Sequence, residues 1–142
     1  MSDVDANRAV VDELWAALGR RDFAGVGACM SERGHYVDVP VIGVDEGAYG
    51  PAETEARLRL GLEPLASYEL HDGTITAQGD VVVTEHSETW NWTTGESALL
   101  RFASVMEVRN GKVDRWWDYF DLAVLMNAAP AAWIEHISAG YK

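Results

Sequence analysis

Three turn signals in the second half of the chain constrain its fold more than any other feature. Gln78-Gly79-Asp80, Thr93-Thr94-Gly95-Glu96 and Asn110-Gly111 separate four strand-like runs: Ser67 to Ala77, Val81 to Trp92, Ser97 to Val108 and Lys112 to Phe120. Asn-Gly is the strongest of the three, because both residues tolerate the positive φ of a tight hairpin. Turns this short force consecutive strands to run antiparallel, since parallel neighbours need a crossover of about a dozen residues or more.

The first half has the other periodicity. Val4, Val11, Leu14, Trp15 and Leu18 fall on one helical face, with Gly19 as its stop. Phe23, Val26 and Met30 suggest a second, shorter helix. Gly34 to Pro40 reads as a strand, with Tyr36 and Asp38 on one face and Val37 and Val39 on the other. Val41 to Gly50 carries three glycines and reads as a loop. Gly50-Pro51 then opens a helix whose buried side holds Leu58, Leu62 and Leu65. After the last strand a helix is expected over Asp121 to Asn127, followed by Ala129-Pro130 and a segment from Trp133 to Ile137 that could pack as a lid. Helices gathered ahead of a meandering sheet predict an α+β fold, one domain over residues 1–142, with the sheet curved around the long first helix.

A chain of 142 residues with 48% apolar content and six Trp can bury a real core, so disorder is excluded. Its net charge of −12 repels phosphate backbones and anionic headgroups, so neither nucleic acid nor a membrane is expected as a partner. No apolar run approaches the roughly 18–20 residues of a membrane-spanning helix. The acidic start, Met1-Ser2-Asp3-Val4-Asp5, reads as the beginning of a helix rather than a signal peptide, and a cytoplasmic location is expected. Cys29 is the only cysteine, which excludes an intrachain disulfide and a thiolate metal cluster, and it reads as a small buried side chain.

The informative polar residues lie where solvation does not explain them. On Val81 to Trp92, one face carries Val82, Thr84, His86, Glu88 and Trp90, and the other Val81, Val83, Glu85, Ser87 and Thr89. Neither face is cleanly apolar, so pattern alone leaves open which is buried. The first sets two ionisable groups between Val82 and Trp90. On the last strand Asp118 shares a face with Trp116 and Phe120. The plainer alternatives are a rim carboxylate for Asp118, a solvated face for His86 and Glu88, and a wet edge for Tyr36 and Asp38. Chemistry is the reason to combine them. A carboxylate among aromatics is costly to ionise, His86 could steady it, and carboxyls in different environments can supply one acid and one base.

The same expectation gives one apolar pocket holding Tyr36, Asp38, His86, Glu88 and Asp118, with Trp90, Trp116, Phe102, Phe120 and Met106 against the substrate. One His with three acids lacks the second imidazole common in metal sites, so no metal and no cofactor is expected, although oxygen ligands would also suit magnesium or calcium. Phosphate loops, GxGxxG and nucleophile elbows are absent from the sequence.

Arg115-Trp116-Trp117-Asp118-Tyr119-Phe120-Asp121-Leu122 resembles the terminal motif of the limonene-1,2-epoxide hydrolase family, within the SnoaL-like group of the NTF2-like (cystatin-like cone) superfamily. Val105 to Lys112 resembles the hairpin that leads into it. Tyr36-Val37-Asp38-Val39-Pro40 is similar to that family's Tyr-x-Asn-x-Pro segment, and Thr84-Glu85-His86-Ser87-Glu88 to its Thr-Glu-Arg-x-Asp segment. The resemblance implies a cone with a curved mixed or antiparallel sheet and cofactor-independent hydrolysis of a small apolar epoxide to a diol. It makes Asp118 the general base, Glu88 the general acid, His86 the bridge between them, and Tyr36 with Asp38 the holders of water. His86, Glu88 and Asp38 stand where that family has Arg, Asp and Asn. A ketosteroid-isomerase-like or SnoaL-like isomerase, cyclase or dehydratase is the second expectation, and a non-catalytic ligand-binding cone the third. Cones of this kind commonly dimerise through the outer sheet face, so a homodimer is expected, with Trp92, Trp117 or Tyr119 at its interface.

Overall fold

The computed structural model describes residues 3–141; Met1 and Ser2 of the acidic start lie outside the described residues, as does Lys142. Helix α1 (Asp3–Gly19) buries Val11, Leu14, Trp15, Ala17 and Leu18, the face that the periodicity predicts. Asp22 caps the short α2 (Phe23–Ala28) by accepting from the Gly25 amide at 2.9 Å. Strand β1 (Met30–Asp38) follows, then α3 (Val39–Ile42), β2 (Ala48–Tyr49) and α4 (Gly50–Leu62). The meander is β3 (Ser67–Gln78), β4 (Val81–Asn91), β5 (Ser97–Arg109) and β6 (Lys112–Phe120), ending in α5 (Leu122–Ala128) and α6 (Ala131–Gly140).

These bounds correct the sequence reading in the first half. Met30 begins β1 rather than ending the second helix, while Val39 and Pro40 belong to α3. Pro40 suits the first turn of a helix, where its missing N–H costs nothing. The expected loop from Val41 to Gly50 contains β2, which pairs with β1 through His35 opposite Tyr49. Two polar or small residues carry β2, too few to show a strand period.

The six strands form one curved sheet in the order β2-β1-β6-β5-β4-β3. Every pairing is antiparallel except β1 with β6, which is parallel and sets Tyr36 beside Trp116 and Asp38 beside Asp118. That pairing ties the two halves of the chain into one open sheet, because β1 comes early in the chain and joins the strand that comes last. Helix α1 packs across the inner face against β3, β4, β5 and β6. Asn110 and Gly111 take φ of 53° and 74°, the hairpin geometry that their side chains allow. Gly73 has a different cause: a Cβ there would lie 1.7 Å from the Glu85 carbonyl oxygen, where β3 bulges between His71 and Thr74. No helix among the described residues is long and apolar enough to cross a membrane.

Candidate active site

The inner faces of β1, β4, β5 and β6, roofed by α4, α5 and α6, enclose a cavity of about 450 Å³. Strand alternation decides what enters it. On β4 the buried set is Val82, Thr84, His86, Glu88 and Trp90, which settles the question that pattern left open. Tyr36, Asp38, Glu88 and Asp118 all line the cavity, with Trp90, Trp116, Phe102 and Phe120 among its apolar walls.

Two expected residues do not reach it. Met106 is wholly buried in the core, opposite Trp116 and Val82 on the neighbouring strands. His86 is buried under Trp15 and stacked on Phe102 with centroids 5.2 Å apart. Its Nε2 lies 2.9 Å from Glu88 Oε2, whereas Asp118 takes its donors elsewhere, so no His86 bridge joins the two carboxylates. An imidazole is too short for the span that an Arg would cover.

Each carboxylate has its own set of donors. Asp118 Oδ1 accepts from Ser104 Oγ at 2.5 Å and from Trp116 Nε1 at 2.7 Å. Glu88 Oε1 accepts from Trp90 Nε1 at 3.0 Å, and its Oε2 is the His86 partner. Asp38 accepts from the Tyr36 hydroxyl at 3.2 Å and from the Tyr141 hydroxyl. The Arg57 guanidinium lies 3.7 Å from the centre of the Tyr141 ring and contributes positive charge near Asp38.

Burial pushes the Asp118 carboxyl well above the usual carboxylate range, and the neighbouring charges of Asp38 and Glu88 add to it against the Ser104 and Trp116 bonds. Burial also raises Asp38, but there Tyr141, Arg57 and Tyr36 all oppose the rise. The two are register partners on adjacent strands, about 4.8 Å apart in the backbone. Burial and Asp38 push the Tyr36 hydroxyl up, so it stays a donor.

Arg57, Tyr141 and Ser104 were not anticipated from the sequence. Arg57 and Gly61 stand four residues apart on the flank of α4 beside Leu58, so a helical wheel would have placed Arg57 next to the buried stripe. Ser104 interrupts the inward series Ala98, Leu100, Phe102, Met106 and Val108 on β5, a readable signal for a buried polar partner. Nothing local marks Tyr141, which reaches Asp38 only through the path of α6. Trp133 on α6 lines the cavity and donates to the Gly61 carbonyl at 2.9 Å, so the expected lid segment does cover it.

Trp92, expected at an outer interface, is instead buried against Trp90 and Trp133. Trp117 is half-buried, with its indole N–H on His35 and the Arg115 guanidinium over its ring. No group of three or more His, Cys, Asp or Glu among the described residues is arranged to hold a metal ion.

The geometry can be set beside known proteins. An NTF2-like protein of unknown function from Burkholderia pseudomallei shares 26% identity over 92% of this chain and 100% of that chain, with a TM-score of 0.79. TerC co-crystallised with polyporic acid shares 23% over 87% of this chain and 97% of that chain, with a TM-score of 0.76. An LEH-like epoxide hydrolase of M. tuberculosis shares 22% over 97% and 96%, with a TM-score of 0.74. No curated protein matches the sequence at a significant level. The model of the SnoaL-like domain matches residues 11–116, and the chain therefore belongs to the SnoaL-like domain family.

Proposed function

We propose that this chain is a cofactor-independent acid–base enzyme acting on a small apolar molecule, and that its reaction is the addition of water to an epoxide. The observation that carries this reading is the Asp38–Asp118 pair, set side by side on β1 and β6 at the wall of an aromatic cavity. Two buried carboxyls at such range do not both ionise, so the pair holds one proton at neutral pH. Asp38 has two tyrosine donors and the Arg57 charge, so it keeps the negative charge. Asp118 has only neutral donors and two acidic neighbours, so it carries the proton. Both of its donors fall on Oδ1, which leaves Oδ2 to hold that proton toward a ligand.

Turnover then balances within the pair. Asp118 gives its proton to the epoxide oxygen as the C–O bond breaks. Asp38 takes a proton from the attacking water, whose oxygen forms the new C–O bond. One proton passing from Asp38 to Asp118 restores the start. This departs from the roles that the resemblance implies, with Asp118 as base and Glu88 as acid. Both Glu88 oxygens already face nitrogen donors, so Asp118, with Oδ2 free of protein donors, is the better placed of the two to protonate a ligand.

Turnover of small cyclic epoxides in H2¹⁸O is expected to place one heavy oxygen in each diol. A panel that yields no diol removes the epoxide reading. Deuterium entering the carbon beside a carbonyl of cyclic ketones would instead support an isomerase, cyclase or dehydratase, which the same acid–base pair could serve. Tight binding of apolar ligands without either reaction would favour a non-catalytic cone.

For assembly, we assign a homodimer to the outer sheet face, where Leu99 and Tyr119 are exposed on adjacent strands. Sedimentation at micromolar concentration is expected to show twice the 15.6 kDa chain mass, and a single species at the chain mass would remove that assignment.

A further inference from the structure

His86 is a buried ionisable side chain of the inner face that the mechanism above does not use, and its surroundings are distinctive. A second recess, of about 540 Å³, opens between α1 and the edge strand β3. Asp12, Trp15, Asp72, Gly73, Thr84 and His86 are among its lining residues, and none of its lining residues also lines the cavity. Glu88 lines the cavity and His86 lines the recess, so the 2.9 Å hydrogen bond between them crosses the wall that separates the two. The other ring nitrogen, Nδ1, is buried with no hydrogen-bond partner. The two nitrogens of an imidazole point in divergent directions, so a ring that addresses Glu88 with Nε2 directs Nδ1 away from the cavity. A buried acceptor without a donor is costly, and the recess that His86 lines is the place from which a water could supply one.

We propose that the His86–Glu88 pair is a proton port, through which the cavity exchanges one proton with solvent in the recess while a ligand fills the cavity and α6 covers it. The step is balanced. Water in the recess gives a proton to Nδ1, and the ring becomes an imidazolium. Nε2 then passes its own proton to Glu88 Oε2, which leaves a neutral imidazole protonated on Nδ1 and a neutral carboxylic acid. The reverse sequence exports the proton. Stacking on Phe102 and contact with Trp15 hold the ring in place, so one transfer inward is undone by the reverse transfer along the same path.

The charged and titratable groups around His86 suit the arrival of a proton. Asp12 on α1 and Asp72 on β3 line the recess, and Glu88 lies on β4 itself. Glu85, Arg101 and Tyr119 lie in a groove on the outer side of the sheet that His86 also borders. Acids outnumber the single Arg. For the reaction proposed above, loading the port removes the Glu88 charge, one of the causes that raise Asp118, and so makes Asp118 a readier donor. His86 is thus a positioning residue that acts through Glu88. The consequence for rate rests on the proposed function, whereas the port itself does not.

Two measurements test it. In protein labelled with ¹⁵N-histidine, the His86 signals are expected to show a protonated Nε2, bonded to Glu88, and a bare Nδ1. Assignment by elimination uses H35Q, H71Q and H136Q, whose side chains are not in the core. A reversed tautomer, with the proton on Nδ1 and a bare Nε2, overturns the port whether or not any epoxide is turned over. Where turnover is found, H86Q keeps a donor to Glu88 but cannot relay. It is expected to lower kcat about 100-fold and shift the pH profile, with part of the loss restored by added imidazole entering the recess. Full activity in a folded H86Q protein would overturn the proposal.

Discussion

Asp118→Asn is expected to lower kcat for diol formation by about 10³-fold or more while leaving the fold intact. The reasoning separates chemistry from structure at a single side chain. The amide oxygen of Asn still accepts from Ser104 and Trp116, so neither buried donor is orphaned. What disappears is the proton that Oδ2 would carry to a ligand. Asn is neutral in both states, whereas Asp118 must take up a proton on folding at neutral pH, so the variant should be at least as stable as the parent. Asp118→Ala is the informative contrast, because it leaves Ser104 Oγ and Trp116 Nε1 unpaired in the core and should cost about 1–3 kcal/mol. Steady-state kinetics and urea titration of both variants check the pair of statements. Wild-type turnover in folded Asp118→Asn would remove Asp118 from the chemistry, and unfolding of that variant would show that its role is structural.

Why Asp118 was legible in the sequence, and Tyr141 was not, follows from how each is placed. Asp118 sits on a nine-residue strand with Trp116 and Phe120 two residues away on either side, and strand alternation alone puts all three on one face. The same rule placed Glu88 with Trp90 and Tyr36 with Asp38, so four of the five polar residues expected in the pocket do line it. It also put His86 on the correct face, but a face is not a position. Whether a side chain enters a cavity depends on its reach and on what packs over it, and Trp15 and Phe102 cover this ring. The parallel pairing of β1 with β6 was beyond the pattern altogether. Hairpin turns specify pairing between neighbours in sequence, whereas β1 and β6 are joined by the curvature of the whole sheet. That pairing is what sets Asp38 against Asp118, and the division of labour between them follows from it. The resemblance supplied the acids but not their order, because Asp38 stands where the family has a neutral amide and brings with it a second buried charge.

That second charge gives the fold a pH dependence of unusual sign. Both Asp118 and Asp38 are raised above the ordinary value of 3.8 in the folded chain. A carboxyl raised on folding binds its proton more tightly in the native state than in the unfolded one. Native protein therefore holds more protons throughout the window between 3.8 and the raised value, and its stability increases as pH falls through that window. The contribution is complete below the unfolded value and is lost as pH rises through the folded one. Each such proton can change stability by at most about 1.4 kcal/mol per pH unit, which is roughly 5 °C in Tm for a domain of this size. The net charge of −12 acts in the same direction, since acidification relieves its self-repulsion, so the wild-type curve alone does not isolate the pair. Subtraction does. As pH falls from neutrality toward 3.8 the Tm of the wild type is expected to rise more steeply than that of Asp118→Asn, which has lost the proton-binding group but kept the rest of the surface charge. Parallel curves would mean that Asp118 titrates alike in the folded and unfolded chains. The shared proton, and with it the assignment of Asp118 as donor and Asp38 as acceptor, would then have no physical basis.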